Sequence, residues 1–206
     1  GNPHYLTDPV EGLRVTRRLV EKLSQLAPKQ RSSFEKNYLT FRDELLTKLY
    51  GSTAVNKLGA QQLAIASFVG PDATRELFAS RKLSPGGWEG ELQPLSGTPF
   101  VADHDLWPYF ARRFNLRQIA LLEPFAGVAP TARHLQEVIG QMRQEDVQLI
   151  LSSSYFRDQY AKKVASETGA GIAVMVDQVG LVEEASTSYL DMIQVNLDRV
   201  RKALKP

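Results

Sequence analysis

The sequence predicts an α/β fold, a four-stranded parallel sheet with helices on both faces, preceded by long linking helices. After residue 99, short apolar runs alternate with helical stretches, an order typical of parallel strands joined by right-handed crossovers. The runs are apolar throughout instead of alternating, as expected of strands that are covered on both faces. The predicted strands are 100–102, 118–122, 147–151 and 172–176, and the predicted helices are about 105–115, 131–145, 157–168 and 186–204.

Two long helices are predicted before the sheet. In the first, over 9–26, apolar residues recur at spacings of four, four and three, which places them on one helical face. Those residues are Val15, Leu19, Leu23 and Leu26. Pro28 interrupts the first helix and can begin the second, which continues until Gly51 ends it.

Residues 51–99 give a weaker pattern. The stretches 54–67 and 72–81 are compatible with short helices, whereas 84–99 is dense in glycine and proline and is interpreted as a loop. We expect the whole segment to be a surface insertion. The predicted division is therefore 1–50 for the entry loop and linking helices, 51–99 for the insertion, and 100–206 for a carboxyl-terminal α/β lobe.

The last predicted helices carry recognisable end signals. Thr131 can cap the helix that follows it, and Gly169 can end the next one. The final helix has a buried apolar stripe. Its members are Tyr189, Ile193, Leu197, Val200 and Leu204.

Composition excludes several classes of function. The 25 basic and 23 acidic side chains nearly balance, so the large positive field that drives nucleic-acid binding is missing. No apolar run approaches the roughly 18 residues of a membrane span. The chain has no cysteine, which excludes thiolate metal sites and cysteine nucleophiles. Any metal must therefore be held by nitrogen and oxygen.

Polar residues follow each predicted strand, and open parallel sheets bind ligands outside the carboxyl ends of their strands. Those residues are Asp103, His104 and Asp105 after the first strand, Glu123 after the second, 152–155 after the third, and Asp177 after the fourth. His104 and Asp177 are far apart in sequence yet belong to one rim. His4 joins them if the entry loop folds over that rim, and we expect a divalent-metal site there.

Each of these residues also has an ordinary structural interpretation. A histidine near a strand end is more often hydrogen-bonded than metal-bound, Asp177 can cap a turn, and His4 can belong to a disordered terminus. His134, inside a predicted helix, is interpreted as a surface or packing histidine. From the residues alone these alternatives remain open.

Ordered motifs extend over nearly the whole chain apart from 51–97. They are the Pro-His and Asp-Pro pairs within 2–9, the Asp-His-Asp run within 103–114, Leu-Glu-Pro within 122–135, Ser-Tyr-Phe within 154–169, and the segment 177–191, which begins with Asp177 and ends in Ser-Tyr-Leu-Asp. In this order they resemble the solute-binding proteins of zinc and manganese ABC transporters. The resemblance implies two α/β lobes, joined by a long rigid helix, that hold one metal ion between them.

The resemblance also implies roles for particular residues. Carried over by position, His4 is the second metal ligand, His104 the third and Asp177 the carboxylate. The family's first ligand lies in an amino-terminal lobe that precedes the matched segment. The chain is therefore expected to be a truncated carboxyl-terminal portion that binds metal weakly or not at all by itself.

Further expectations about metal, partners and location follow from the resemblance. Nitrogen-rich ligation favours Zn²⁺ as the cargo over Mn²⁺, which remains the alternative. The expected partner is the membrane permease of an ABC importer, and the expected location is periplasmic or extracytoplasmic in the bacterial envelope. No catalytic activity is expected. If the first helix and the insertion once packed against another lobe, exposed apolar surface should drive self-association.

Two other functions remain as alternatives. A metal-free interaction module would use the carboxyl-terminal lobe only for docking. A metal-dependent hydrolase would use rim residues such as His104, Asp105, Glu123 and Asp177 to hold a metal that activates water. The sequence contains no Gly-x-Ser-x-Gly elbow and no phosphate loop, which disfavours an enzyme.

Overall fold

The structure, a computed structural model, describes residues 1–125, 127–183 and 187–204. The chain separates into two compact units. The helical unit comprises residues 8–94, and the α/β unit comprises residues 1–7 together with 95–206. The three-part division into 1–50, 51–99 and 100–206 stays a prediction.

The helical unit contains both predicted long helices. Asp8 caps the first helix, since its side chain accepts a hydrogen bond from the Val10 backbone, and Pro9 occupies the first turn. Gly51, at φ 84°, ends the second as predicted. The helices are α1 (Pro9–Leu26), α2 (Arg31–Tyr50), α3 (Ser52–Leu58), α4 (Ala60–Val69), α5 (Pro71–Ser80) and α6 (Gly87–Leu92).

The apolar stripe that predicted α1 faces solvent along most of its length. Leu19, Leu23 and Leu26 are 53%, 42% and 82% exposed. The periodicity correctly predicted a helix, whereas the buried side chains of α1 lie in its first turn and include Val10 and Leu13. Self-association through this surface stays a prediction.

The interpretation of 84–99 as a loop is wrong for its central part, which forms α6. Trp88 and Leu92 are 2% and 1% exposed, because α6 packs against the end of α2. Gly87, at φ 52°, permits this approach, since a β-carbon there would lie 2.1 Å from the Lys48 carbonyl oxygen. Helices α3 and α4 also contact α2, and 51–94 lies within the helical unit. The description of 51–99 as a surface insertion stays a prediction.

A four-stranded parallel sheet forms the centre of the α/β unit and confirms the predicted fold class. The strand order is β2-β1-β3-β4, so β1 and β3 are central. Every residue of β3 is buried, whereas the edge strand β2 is partly exposed. The strands are β1 (Pro99–Ala102), β2 (Arg117–Leu121), β3 (Leu149–Ser153) and β4 (Gly171–Met175).

Four helices accompany the sheet at the predicted places. Thr131 caps one by accepting the His134 N–H, and Gly169, at φ 80°, ends another, as predicted. Position 186, where the last helix was expected to begin, lies outside the described residues. The helices are α7 (Pro108–Arg113), α8 (Ala132–Gln144), α9 (Gln159–Thr168) and α10 (Tyr189–Ala203).

The core of the α/β unit lies between the sheet and its helices. Helices α8 and α9 pack together over one apolar cluster, while α10 contacts β3 and β4. The cluster includes Val101, Leu135, Val138, Ile139, Ile150 and Val164. Within the described part of the chain, every helix is too short or too polar to cross a bilayer.

Two glycines in the α/β unit should respond oppositely to substitution by alanine. A β-carbon at Gly171 would lie 2.0 Å from the Ala203 carbonyl oxygen, so Gly171→Ala should lower the free energy of unfolding by about 2 kcal/mol or more. Gly140 is exposed within α8 with open space around it, so Gly140→Ala should raise that free energy by about 0.5–1 kcal/mol. Urea denaturation measures both, and similar midpoints for the two variants would contradict the close packing at Gly171.

Candidate metal site

Asp103, which follows β1, forms hydrogen bonds to β3 and to the turn after β2. Its backbone N–H donates to Leu151 O at 2.9 Å, and its carbonyl accepts from Glu123 N at 2.9 Å. Its carboxylate accepts the backbone N–H groups of His104 and Ser153 at 2.7 and 2.6 Å. Burial raises the pKa of the Asp103 carboxyl, while these hydrogen bonds oppose the shift. One residue therefore links β1 to β3 and to the turn after β2.

His104 is buried directly beside this link. Its Nε2 atom has no hydrogen-bond partner among the described residues and lies 3.8 Å from Glu123 Oε1. The Phe156 ring covers the imidazole, with centroids 3.7 Å apart and planes tilted by 41°. The arrangement buries a polar nitrogen beside an aromatic ring, with the Glu123 carboxylate 3.8 Å away.

His4 lies in an entry segment that is anchored within the α/β unit. Its N–H donates to Asn2 Oδ1 at 2.9 Å, and Thr7 Oγ1 donates to its carbonyl at 2.8 Å. Asn2 in turn donates to the Asp105 carbonyl at 2.7 Å, in the turn after β1. The imidazole Nδ1 lies 3.5 Å from Asp177 Oδ2. These contacts bring His4 to the sheet rim, and its assignment as a metal ligand stays a prediction.

Asp177 follows β4 and is positioned from two sides. Asn196 of α10 holds the preceding backbone, because its amide donates to Val176 O at 2.6 Å and its carbonyl accepts Val176 N at 2.8 Å. Tyr155 donates its phenol to Asp177 Oδ2 at 3.4 Å, and burial raises the pKa of that phenol. The other carboxylate oxygen, Oδ1, is buried and has no partner within the described ranges.

The rim therefore brings the predicted residues together as two pairs of a histidine and a carboxylate. His4 pairs with Asp177, and His104 pairs with Glu123. In this conformation, among the residues that the structure describes, no group of three or more histidine and acidic side chains is arranged to hold a metal ion. His134 hydrogen-bonds Leu121 O at 2.9 Å, which agrees with its interpretation as a surface or packing histidine.

Sequence reasoning missed the function of three rim residues. Asp103 was placed at the rim but not recognised as the link between strands. Glu123 was placed at the rim and given a function only in the enzyme alternative, and it was not recognised as the neighbour of His104. Asn196 was not singled out, although a polar residue beside the apolar stripe of α10 is a signal of a buried hydrogen-bonding function.

Solved structures share this fold. The structure titled "Crystal structure of ZnuA" matches with a TM-score of 0.68 and 20% identity, and the match covers all of this chain and 61% of that chain. A laminin-binding adhesin (Lmb) from Streptococcus agalactiae matches with a TM-score of 0.67 and 23% identity over 99% of this chain and 63% of that one. Both likenesses show that the chain shares the α/β fold of these proteins.

The sequence comparisons identify the family. The profile described as zinc-uptake complex component A, periplasmic (ZnuA), matches residues 87–203, more than half of the chain, and the chain belongs to that family. The high-affinity zinc uptake system protein ZnuA of Brucella abortus is 24% identical over 172 residues, which cover 84% of this chain and 41% of that protein. The chain thus spans less than half the length of this curated relative.

Removal of the Asp103 carboxylate should destabilise the α/β unit. In Asp103→Ala the backbone N–H groups of His104 and Ser153 lose their acceptor, and we expect the free energy of unfolding to fall by about 2–4 kcal/mol. Urea denaturation followed by circular dichroism measures the change. The matched control is Asp198→Ala on the exposed side of α10, which should change stability by less than about 0.5 kcal/mol. Equal stabilities of the two variants would show that Asp103 does not link the strands.

Removal of the Asn196 carboxamide should also destabilise the α/β unit, at the end of β4. Asn196→Ala leaves the N–H and C=O of Val176 without partners, so we expect a loss of about 2–3 kcal/mol. The comparison is with Asn37→Ala, at an exposed position of α2, measured by thermal unfolding. A loss no larger than that of Asn37→Ala would contradict the structural importance of the Asn196 contact.

Proposed function

We propose that this chain binds a divalent metal ion at the sheet rim, as part of the extracytoplasmic solute-binding component of a metal ABC importer. The family to which the chain belongs supports this function. The observation that carries it is the pairing of each rim histidine with a carboxylate, since imidazole and carboxylate are the ligands that remain when cysteine is absent.

His4, His104 and Asp177 are the proposed ligands. Two donors held at about 2.0–2.1 Å by one tetrahedral ion lie roughly 3.3 Å apart. The 3.5 Å between His4 Nδ1 and Asp177 Oδ2 is close to that separation. His104 Nε2 and Asp177 Oδ1 are buried without hydrogen-bond partners in the described part of the chain, and a buried polar atom of this kind is stabilised when it binds a ligand.

Zinc is the proposed cargo, with manganese as the alternative. Two imidazole nitrogens favour Zn²⁺ over Mn²⁺, because affinity for nitrogen donors rises along the Irving–Williams order. The Brucella abortus relative is named as a zinc uptake protein, which supports the same choice. The ion is carried and released, so it is a substrate of transport and not a resident cofactor.

The proposed partner is the membrane permease of the importer, and the proposed location is the periplasm or the outer face of the bacterial membrane. The family is a transport family, and the proposal includes no catalytic step. A metal-free interaction module would keep its fold and its partner without the ion. A hydrolase would require a substrate to reach a metal-bound water at the rim. Metal titration tests the metal-free module, and an assay of zinc-dependent hydrolysis tests the enzyme.

The test is a calorimetric Zn²⁺ titration of the chain beside two histidine variants at neutral pH. His104→Ala removes a proposed ligand, and we expect it to weaken zinc binding by about 100-fold or more. His134→Ala is the matched control, since His134 Nε2 is already hydrogen-bonded to the Leu121 carbonyl, and it should bind zinc as the unaltered chain does.

The results would separate the candidate functions. Equal zinc affinity in the unaltered chain and in His104→Ala would overturn the proposed ligand set. Complete absence of binding in the unaltered chain would favour either the metal-free module or a site that needs a ligand from a part of the relatives that this chain does not span, and titration of a protein that includes that part would separate the two. Hydrolytic turnover that requires zinc and His104 would favour the enzyme.

A further inference from the structure

A row of three leucines lies on the exposed surface of α1. Leu19, Leu23 and Leu26 follow one another at spacings of four and three, so they share one side of the helix over about 10 Å. Leu26 is 82% exposed, more than any other large apolar side chain in the part of the chain that the structure describes. Helix α2 packs against α1 and still leaves this row in contact with solvent. Packing within the helical unit therefore does not account for the leucines.

Basic side chains lie beside the leucine row. Lys22 follows Leu19 by three positions and precedes Leu26 by four, so it borders the row. Arg18 lies one turn before Lys22 on the same side of the helix. Lys29 lies in the turn between α1 and α2, just beyond Leu26 in the chain. All three basic side chains are exposed. The apolar row is therefore bordered by positive charge along one side and at one end.

Positive charge is concentrated in residues 17–36, which form the end of the α1 and α2 pair and are called the hairpin tip below. The hairpin tip contains six basic and two acidic side chains, a net charge of +4, whereas the whole chain carries +2. Its two acidic residues pair with Arg17 and Arg31, each within its own helix. The remaining basic side chains have no ion-pair partner among the described residues, and they are Arg18, Lys22, Lys29 and Lys36. Their charge is available to an anionic partner.

We propose that the hairpin tip binds the surface of a bilayer that contains anionic phospholipids. The observation that selects this partner is an exposed leucine row beside unpaired basic side chains, which is the arrangement of helices that lie in a membrane interface. The leucines enter the boundary between headgroups and acyl chains, and the basic side chains contact the headgroup phosphates. This inference goes beyond metal binding and uses none of the rim residues.

Charge distinguishes this partner from a second copy of the chain. Two hairpin tips in contact would bring their unpaired basic side chains together, and like charges at short range repel. An anionic surface has the opposite effect, because it attracts each lysine and arginine within a Debye length. The leucine row of about 10 Å is much shorter than the roughly 30 Å of a hydrocarbon core, so the contact is peripheral.

The test is flotation of the chain with lipid vesicles. One set of vesicles contains phosphatidylglycerol and phosphatidylcholine in equal parts, and the other contains phosphatidylcholine alone. A metal chelator is present, so the result is independent of metal binding. We expect binding to the anionic vesicles, and partition to the neutral vesicles that is weaker by about 10-fold or more. Binding should also weaken with added salt, because the Debye length falls to about 3 Å at 1 M ionic strength.

A pair of charge variants locates the contact. Lys22→Gln combined with Lys29→Gln removes two positive charges from the hairpin tip, and we expect the partition coefficient to fall about 10-fold or more. The matched control is Lys162→Gln combined with Lys163→Gln, at exposed positions of α9, which changes the net charge equally. It should bind the anionic vesicles as the unaltered chain does.

An apolar variant tests the leucine row separately. Leu26→Gln should weaken binding to the anionic vesicles about 10-fold, because burial of the leucine side chain in the interface is lost. Val128→Gln is the matched control, since Val128 is also exposed but lies in the α/β unit, and its binding should not change. Thermal unfolding checks that all variants keep their fold, as expected of exposed positions.

Each other outcome overturns the proposal. Absence of binding to anionic vesicles would exclude the membrane surface as the partner. An equal loss in the two lysine pairs would show that net charge acts and the hairpin tip does not. Unchanged binding of Leu26→Gln would reduce the contact to non-specific attraction of cations. A dimer in sedimentation that Leu26→Gln dissociates, without vesicle binding, would assign the surface to a second copy. None of these results affects the zinc titration of the rim, so the two proposals fail separately.

Discussion

The carboxylate of Asp103 is the interaction on which the rim depends. It accepts backbone hydrogen bonds from the turn after β1 and from β3, while its own backbone pairs with β3 and with the turn after β2. Three strand ends are thereby joined at one residue. Burial of this charge costs free energy, and the hydrogen bonds that it accepts offset the cost. The backbone of His104 is held in place because its N–H is one of those donors.

The rim combines unsatisfied polar atoms with an apolar cover. His104 Nε2 and Asp177 Oδ1 are buried and lack partners among the described residues, yet each lies near a group of complementary chemistry. In a metal-free chain this arrangement costs free energy, because a buried polar atom loses its hydrogen bonds to water and forms none in their place. A bound cation would offset that free energy, because it would coordinate these atoms. A metal ion that binds these atoms would therefore also raise the stability of the rim.

The pattern of apolar residues in the sequence predicted the strands and the fold class well. It did not predict which residues distant in sequence contact each other. All four strands were found from apolar runs, because a parallel sheet buries its central strands on both faces, and that topology placed His104 and Asp177 at one rim. The same reasoning failed at Trp88, because local glycines and prolines indicate turns and do not reveal what a large side chain packs against. It failed again on α1, where periodicity predicted a helix but not the exposure of Leu19 and Leu26. Asn196 was missed because its partner, Val176, is distant in sequence.

The paired hydrogen bonds between Asn196 and Val176 make the last helix and the last rim residue one cooperative element. Undocking of α10 would release Val176 and the adjacent Asp177 at the same time. Slow hydrogen–deuterium exchange at the Val176 amide therefore reports on the integrity of both. Since a ligand that binds only the docked form slows local opening, metal occupancy at Asp177 would be measurable as protection of an amide that never touches the ion.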